Sequence, residues 1–169
     1  MIDCLLFVAT VLAVLGCGLI AGAFFAFAAF VMTALGRLPV PSGIAAMQSI
    51  ITAIKGPLFL VVFFATAALA ALLGLAAPLR WSEPGALYLL IGSLLYLNGP
   101  FGVTLMKNLP LNTKLSAVKP ESAEGARFWN EFRSSWTMWN HVRWIGSLAA
   151  AASFAMALVE GGAPVPSRE

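Results

Sequence analysis

Apolar side chains fill this chain in four long runs, separated by short polar clusters. The runs cover about residues 4–32, 45–76, 86–106 and 136–159. Each reaches the roughly 20 residues that an α-helix needs to cross a hydrocarbon core. The pattern predicts an all-α fold: an integral membrane four-helix bundle occupying residues 1–169 as a single transmembrane domain. The first run does not read as a signal peptide. Asp3 is its only early charge, no basic segment precedes it, and it outlasts the 7–15 apolar residues, roughly, of such peptides.

The polar clusters set the connections. RLPVPSG, from Arg37 to Gly43, is a tight proline-rich link, and Lys55-Gly56-Pro57 stands near the start of the second run. APLRWSEPG, from Ala77 to Gly85, makes a short turn with Trp81 as an interfacial anchor. The longest connection runs from Lys107 to about Arg133. Its second half, ESAEGARFWNEFRSSW, has a helical composition, so the fourth helix is expected to begin near Ser122 and to enter the membrane after Arg133. The connection between helices 3 and 4 is thus partly helical. The tail GGAPVPSRE is expected to fray.

Three details inside the runs bear on packing. Gly18 and Gly22 stand four apart, a spacing that lets helices approach closely. Phe24, Phe27 and Phe30 either surround a cavity or meet lipid. Asn98-Gly99-Pro100 is expected to kink or unwind the third helix at a depth where irregular backbone survives only when buried or lining a cavity.

Composition strengthens the membrane reading. Of 169 residues 60% are hydrophobic and 10% charged. Soluble domains carry about 25% charged residues. The basic residues set the orientation. Lys107, Lys114, Lys119, Arg127 and Arg133 lie in the third connection, and Arg37 and Lys55 at the first. The opposite side has Arg80 and Arg168 beside Asp3, Glu83, Glu160 and Glu169. Both termini are therefore expected outside the cytoplasm, in a multi-pass protein of the inner (plasma) membrane. The net charge of +3 reports this orientation and anionic headgroups; no nucleic-acid motif accompanies it.

Cys4 and Cys17 lie thirteen residues apart in one helix, about 20 Å, too far to bridge. Carboxylates are missing from the spans, which argues against a carboxylate proton pump or a carboxylate-bridged di-metal centre. One histidine, His141, cannot build a His-rich copper or zinc site. It could supply one axial ligand to a haem, or act as a general base.

The candidate chemistry is concentrated in SSWTMWNHVRW, residues 134–144. At 100° per residue, Trp129, Trp136, Asn140, Arg143 and Ser147 share one helix face, with Trp139 on its flank. His141 points roughly 100–140° away, toward Thr137 and Trp144. Charged residues inside spans are costly and usually face the bundle interior; the alternative is an interfacial tryptophan belt from which Arg143 snorkels. TLMKNLPLN supplies partners from the third helix: Thr104, Asn108 and Asn112 recur every four residues. Pro110 prevents a regular helix there and frees carbonyls. Two separate segments thus converge on a pocket of amide and guanidinium donors with aromatic walls, which suits a flat phenolic or quinone-like ligand.

GAFFAFAAFVMTALGRLP, AMQSI, VTLMKNLPLNTKL and WTMWNHVRW together resemble the anthrone oxygenase-like family of small four-helix membrane proteins. The specific motifs, N-x-P-x-N and W-x-x-W-N-x-x-R, fall on Asn108, Pro110, Asn112, Trp136, Trp139, Asn140 and Arg143. The resemblance implies a membrane oxidoreductase that oxidises an anthrone to an anthraquinone with dioxygen as co-substrate, without a cofactor or with haem. On that reading His141, Asn140, Arg143 and Asn108 are the expected catalytic residues, with Asn112, Trp136, Trp139, Thr104 and Asn98 expected around the substrate. His141 would be the metal ligand only if haem or another metal is bound. Ile51 stands where the family usually carries an asparagine after AMQSI, so one amide of the polar set is missing. The other reading is a non-enzymatic membrane module that binds a lipid, a small hydrophobic ligand or a partner helix. Four helices alone bury little surface, which points to a homo-oligomer in either case.

Overall fold

The computed structural model describes residues 2–161; the segment 162–169, where fraying is expected, lies outside the described residues. The chain is all-helical there, with four helical rods long and apolar enough to cross a membrane: Asp3–Arg37, Pro57–Leu79, Ala86–Ala117 and Ala123–Gly161. It is a multi-pass membrane bundle. A helix satisfies every backbone polar group within the segment itself, which is why each apolar run is stable in lipid in this form.

The first rod is α1 (Ile2–Ala26), a π-helical turn (Phe27–Val31) and α2 (Met32–Arg37). A separate helix α3 (Val40–Ala53) follows, and then α4 (Pro57–Leu79). The run expected over 45–76 is therefore two helices, and the crossing begins at Pro57. The cause is Gly56-Pro57. Gly56 is extended, at ψ 151°, and Pro57 has no N–H to continue the helix, but its fixed φ suits a first turn. Hydropathy runs straight through this break because both sides are apolar.

The third rod is α5 (Ala86–Tyr96), π-helical turns at Leu97–Gly102 and Thr104–Asn108, and α6 (Leu109–Ala117). Neither Asn98-Gly99-Pro100 nor Pro110 breaks it. Each proline removes one donor and crowds the carbonyl one turn back, and the wider π turns absorb the misfit. The rod runs eleven residues past the expected end at Met106. The last rod is one helix, α7 (Ala123–Gly161), 39 residues long.

Contacts run in a closed ring, α1 to α7, α7 to α5, α5 to α4 and α4 back to α1. Arg37, Lys55, Lys107, Lys114 and Arg127 gather at one end, the basic end, where α3 packs on α2, α6 and α7. At the other end Arg80 pairs with both Asp3 and Glu83. Two apolar cores are stacked along the bundle. One, around Cys17, Ile20, Phe63, Tyr96 and Phe154, fills the half near Arg80. The second, around Ile44, Met47, Leu115, Trp129 and Phe132, fills the basic end. Gln48 ties α3 down there by donating from Nε2 to the carbonyls of Leu115 and Val118, both at 2.9 Å.

Gly18 and Gly22 do not mediate packing between these helices. α1 turns Ala13, Cys17, Ile20 and Phe24 inward, which carries Gly18 about 100° outward; a Cβ at Gly18 or Gly22 would meet nothing within 4 Å. The close approach is at Gly16, where a Cβ would run into the Thr66 side chain of α4. Gly16→Leu is thus expected to destabilise the protein by about 1–3 kcal/mol through overpacking. Gly18→Leu should leave the thermal midpoint in detergent unchanged. Equal midpoint losses in both variants would contradict this placement.

Candidate functional site

Between the two cores lies one polar layer. α7 brings Trp136, Asn140 and Arg143 to it, spaced by four and three residues and all buried. Arg143 is 3% exposed, and Asn140 and Asn108 are 0%. The guanidinium sits between two aromatic rings, its Cζ 4.1 Å from the Phe24 centroid and 4.7 Å from that of Trp136. Its Nη2 donates to Asn140 Oδ1 at 2.9 Å and its Nη1 to Thr104 Oγ1 at 3.5 Å. Asn140 Nδ2 donates in turn to the Phe24 carbonyl at 2.8 Å, just before the π-helical turn of the first rod. Ser147 shares the face but donates to the Arg143 carbonyl, so its hydroxyl serves the helix backbone.

The third rod reaches the layer at three levels. Thr104 meets Arg143, Asn108 Nδ2 donates to the Trp136 carbonyl at 3.2 Å, and Asn112 Oδ1 accepts from Trp136 Nε1 at 2.9 Å. Two buried atoms of the layer have no hydrogen-bond partner: Asn108 Oδ1, an acceptor, and Arg143 Nε, a donor. Among the described residues the ion pairs are those of Arg80, so Arg143 is a buried cation without a carboxylate.

The structure thus brings together Asn140, Arg143, Thr104, Asn108, Asn112 and Trp136. It places three other candidates elsewhere. Trp139 lies on the flank of α7 with Lys107 Nζ 5.0 Å from its ring centroid. Asn98 is exposed and donates to its own helix at Leu94. His141 is exposed too. It lines a groove of about 580 Å³ on the outside of the bundle with Asn98, Leu94 and Ile145. Its Nδ1 accepts from Trp144 Nε1 at 2.9 Å. That contact and the groove both lie on the outer side of α7, so His141 does not face the layer that holds Asn140 and Arg143. Among the described residues no three of His, Cys, Asp and Glu come together as a metal site.

Ile51 is buried in the core of the basic end, in the same apolar cluster as Trp136. One ring and one main-chain group of the surroundings were not expected. Phe132 stacks on Trp129 and on Trp136, at 5.8 and 6.2 Å between centroids; the spacing 129, 132, 136 continues the inward face and marks it. Phe24 contributes a carbonyl as well as a ring, and a carbonyl leaves no trace in residue types.

Neither the curated proteins nor the solved structures include a match to the chain. The family model described as anthrone oxygenase matches residues 54–153, well over half of the chain and all of the third and fourth rods' contribution to the polar layer. The chain belongs to the anthrone oxygenase family.

Proposed function

We propose that this protein oxidises an anthrone-like hydroxylated aromatic ketone with dioxygen, at the polar layer between its two cores. The observation that carries the reading is Arg143, a buried cation with no anionic partner. Such a charge is expensive in a bundle interior unless an anion joins it. The anion of an anthrone, formed when its methylene gives a proton to water at the membrane surface before the ligand enters, supplies that partner. Its oxygen would sit at Arg143 Nε, and Asn108 Oδ1 would accept from a phenolic O–H. A flat fused-ring ligand would replace the Phe24 or Trp136 ring that now covers the guanidinium.

In this scheme the protein supplies electrostatics, and dioxygen is the oxidant. A fixed cation in apolar surroundings stabilises the enolate oxygen, which lowers the cost of ionising the methylene. The electron-rich carbon then takes one oxygen atom from dioxygen. The methylene loses two hydrogens and becomes a carbonyl, and the second oxygen atom leaves as water. Orientation follows the positive-inside rule, with the basic end in the cytoplasm and both termini outside.

The test is turnover of an anthrone by purified protein in detergent, with oxygen uptake and anthraquinone followed together. One dioxygen consumed per anthraquinone formed is expected. Tight anthrone binding without turnover would instead make the chain a binding module. A second expectation separates the polar layer from the outer groove. His141→Phe should retain kcat/KM within about threefold. A drop of 100-fold would return the histidine to the site.

A further inference from the structure

We propose that a second site, outside the polar layer, binds the phosphate of an anionic glycerophospholipid. It is a groove of about 430 Å³ between the first rod and α7, at the basic end. Asn130, Arg133, Ser134 and Thr137 line it from α7, one helical stripe spaced three, one and three residues apart, and Thr33 faces them from α2. Met32 and Met138 give it an apolar wall.

Three observations make it a phosphate site rather than a polar surface. The guanidinium of Arg133 is seated, because it lies against Gly36 of α2 so closely that any Cβ there would collide with it. Arg133 has no carboxylate partner; the ion pairs among the described residues are those of Arg80. The neighbouring groups are an amide and three hydroxyls, which donate as the guanidinium does. A planar guanidinium fork with hydroxyl donors matches the oxygens of a phosphodiester.

The depth selects a lipid. Arg133 stands three residues before the apolar run that opens at Trp136, the level at which a long basic side chain meets headgroups. The methionine wall continues toward the lipid face, since Met138 is exposed there. The lining also selects against choline. No carboxylate lines the groove, and Glu131, the acidic residue nearest in sequence, lies about 200° round the helix from Arg133. A headgroup with hydroxyls and no cation, such as phosphatidylglycerol, fits the lining.

The experiment uses the whole chain in detergent, titrated separately with short-chain phosphatidylglycerol, short-chain phosphatidylcholine and inorganic phosphate, with the thermal midpoint as readout. Phosphatidylglycerol is expected to bind at least about tenfold more tightly than phosphatidylcholine. Arg133→Gln should remove that preference. Arg133→Lys keeps the charge but loses the fork, and should weaken it severalfold; this milder change holds the test open should the glutamine variant not fold. Arg127→Gln, an exposed arginine outside the groove, should leave the preference intact. Equal binding of the two lipids, or an undiminished preference in both Arg133 variants, would overturn the proposal. Saturation of the midpoint shift by inorganic phosphate alone would replace the lipid with free phosphate.

Discussion

Replacing Arg143 with methionine is expected to lower anthrone turnover by at least about 100-fold while leaving the bundle folded, its stability within roughly 1 kcal/mol of the parent. Two opposing effects set that stability. Methionine nearly fills the volume and removes a buried charge, a change that is often neutral or favourable by about 1–4 kcal/mol. It also strands Asn140 Oδ1, which now accepts from Nη2, at about 1–3 kcal/mol. The activity has no such compensation, because the cation is the group proposed to face the enolate oxygen. Circular dichroism and a thermal midpoint alongside oxygen uptake check the result. Equal loss of both would mean that Arg143 holds the helices together; full activity would remove it from the site.

Asn140→Leu should do the reverse and cost mainly stability, about 2–3 kcal/mol. Its amide joins the Phe24 carbonyl of one rod to the Arg143 side chain of another. Cross-helix bonds in membranes are worth only about 0.6–2 kcal/mol; the rest of the loss comes from a guanidinium hydrogen left unpaired in a dry layer. The two substitutions should therefore not add. With methionine already at 143, Asn140→Leu strands no charge, and the double variant should recover about 1–2 kcal/mol of the expected sum. Unfolding titrations of the four proteins measure that coupling, and strict additivity would show that the two side chains do not act together.

Much of the polar layer could be read from helical geometry alone. A step of 100° groups Trp136, Asn140 and Arg143, and separates His141 from them; the structure shows the same division. Thr104, Asn108 and Asn112 were legible because they recur every four residues, which sets them on one helix face. The Phe24 carbonyl was not: it is main chain, 116 residues from Asn140, and no residue type announces it. The prolines misled for a physical reason. Sequence shows the donor that a proline removes, but not the π turns at Leu97–Gly102 and Thr104–Asn108 that carry the helix past it. Gly56-Pro57 misled in the opposite sense, since a real break hides where hydropathy stays high on both sides.

The stacking of two apolar cores around one polar layer has a consequence for kinetics. Water reaching the layer along the bundle axis must pass Trp129 and Phe132 from one end, or Phe154 and Tyr96 from the other, all of them buried. On the proposed function, a hydrophobic substrate would then enter sideways, out of the surrounding bilayer. Its effective concentration is then its mole fraction in lipid. On the proposed function, diluting the same amount of anthrone and enzyme with more lipid should slow turnover, at constant concentrations in the tube. The saturation constant would be a surface quantity, and any measured KM would scale with the amount of membrane in the assay.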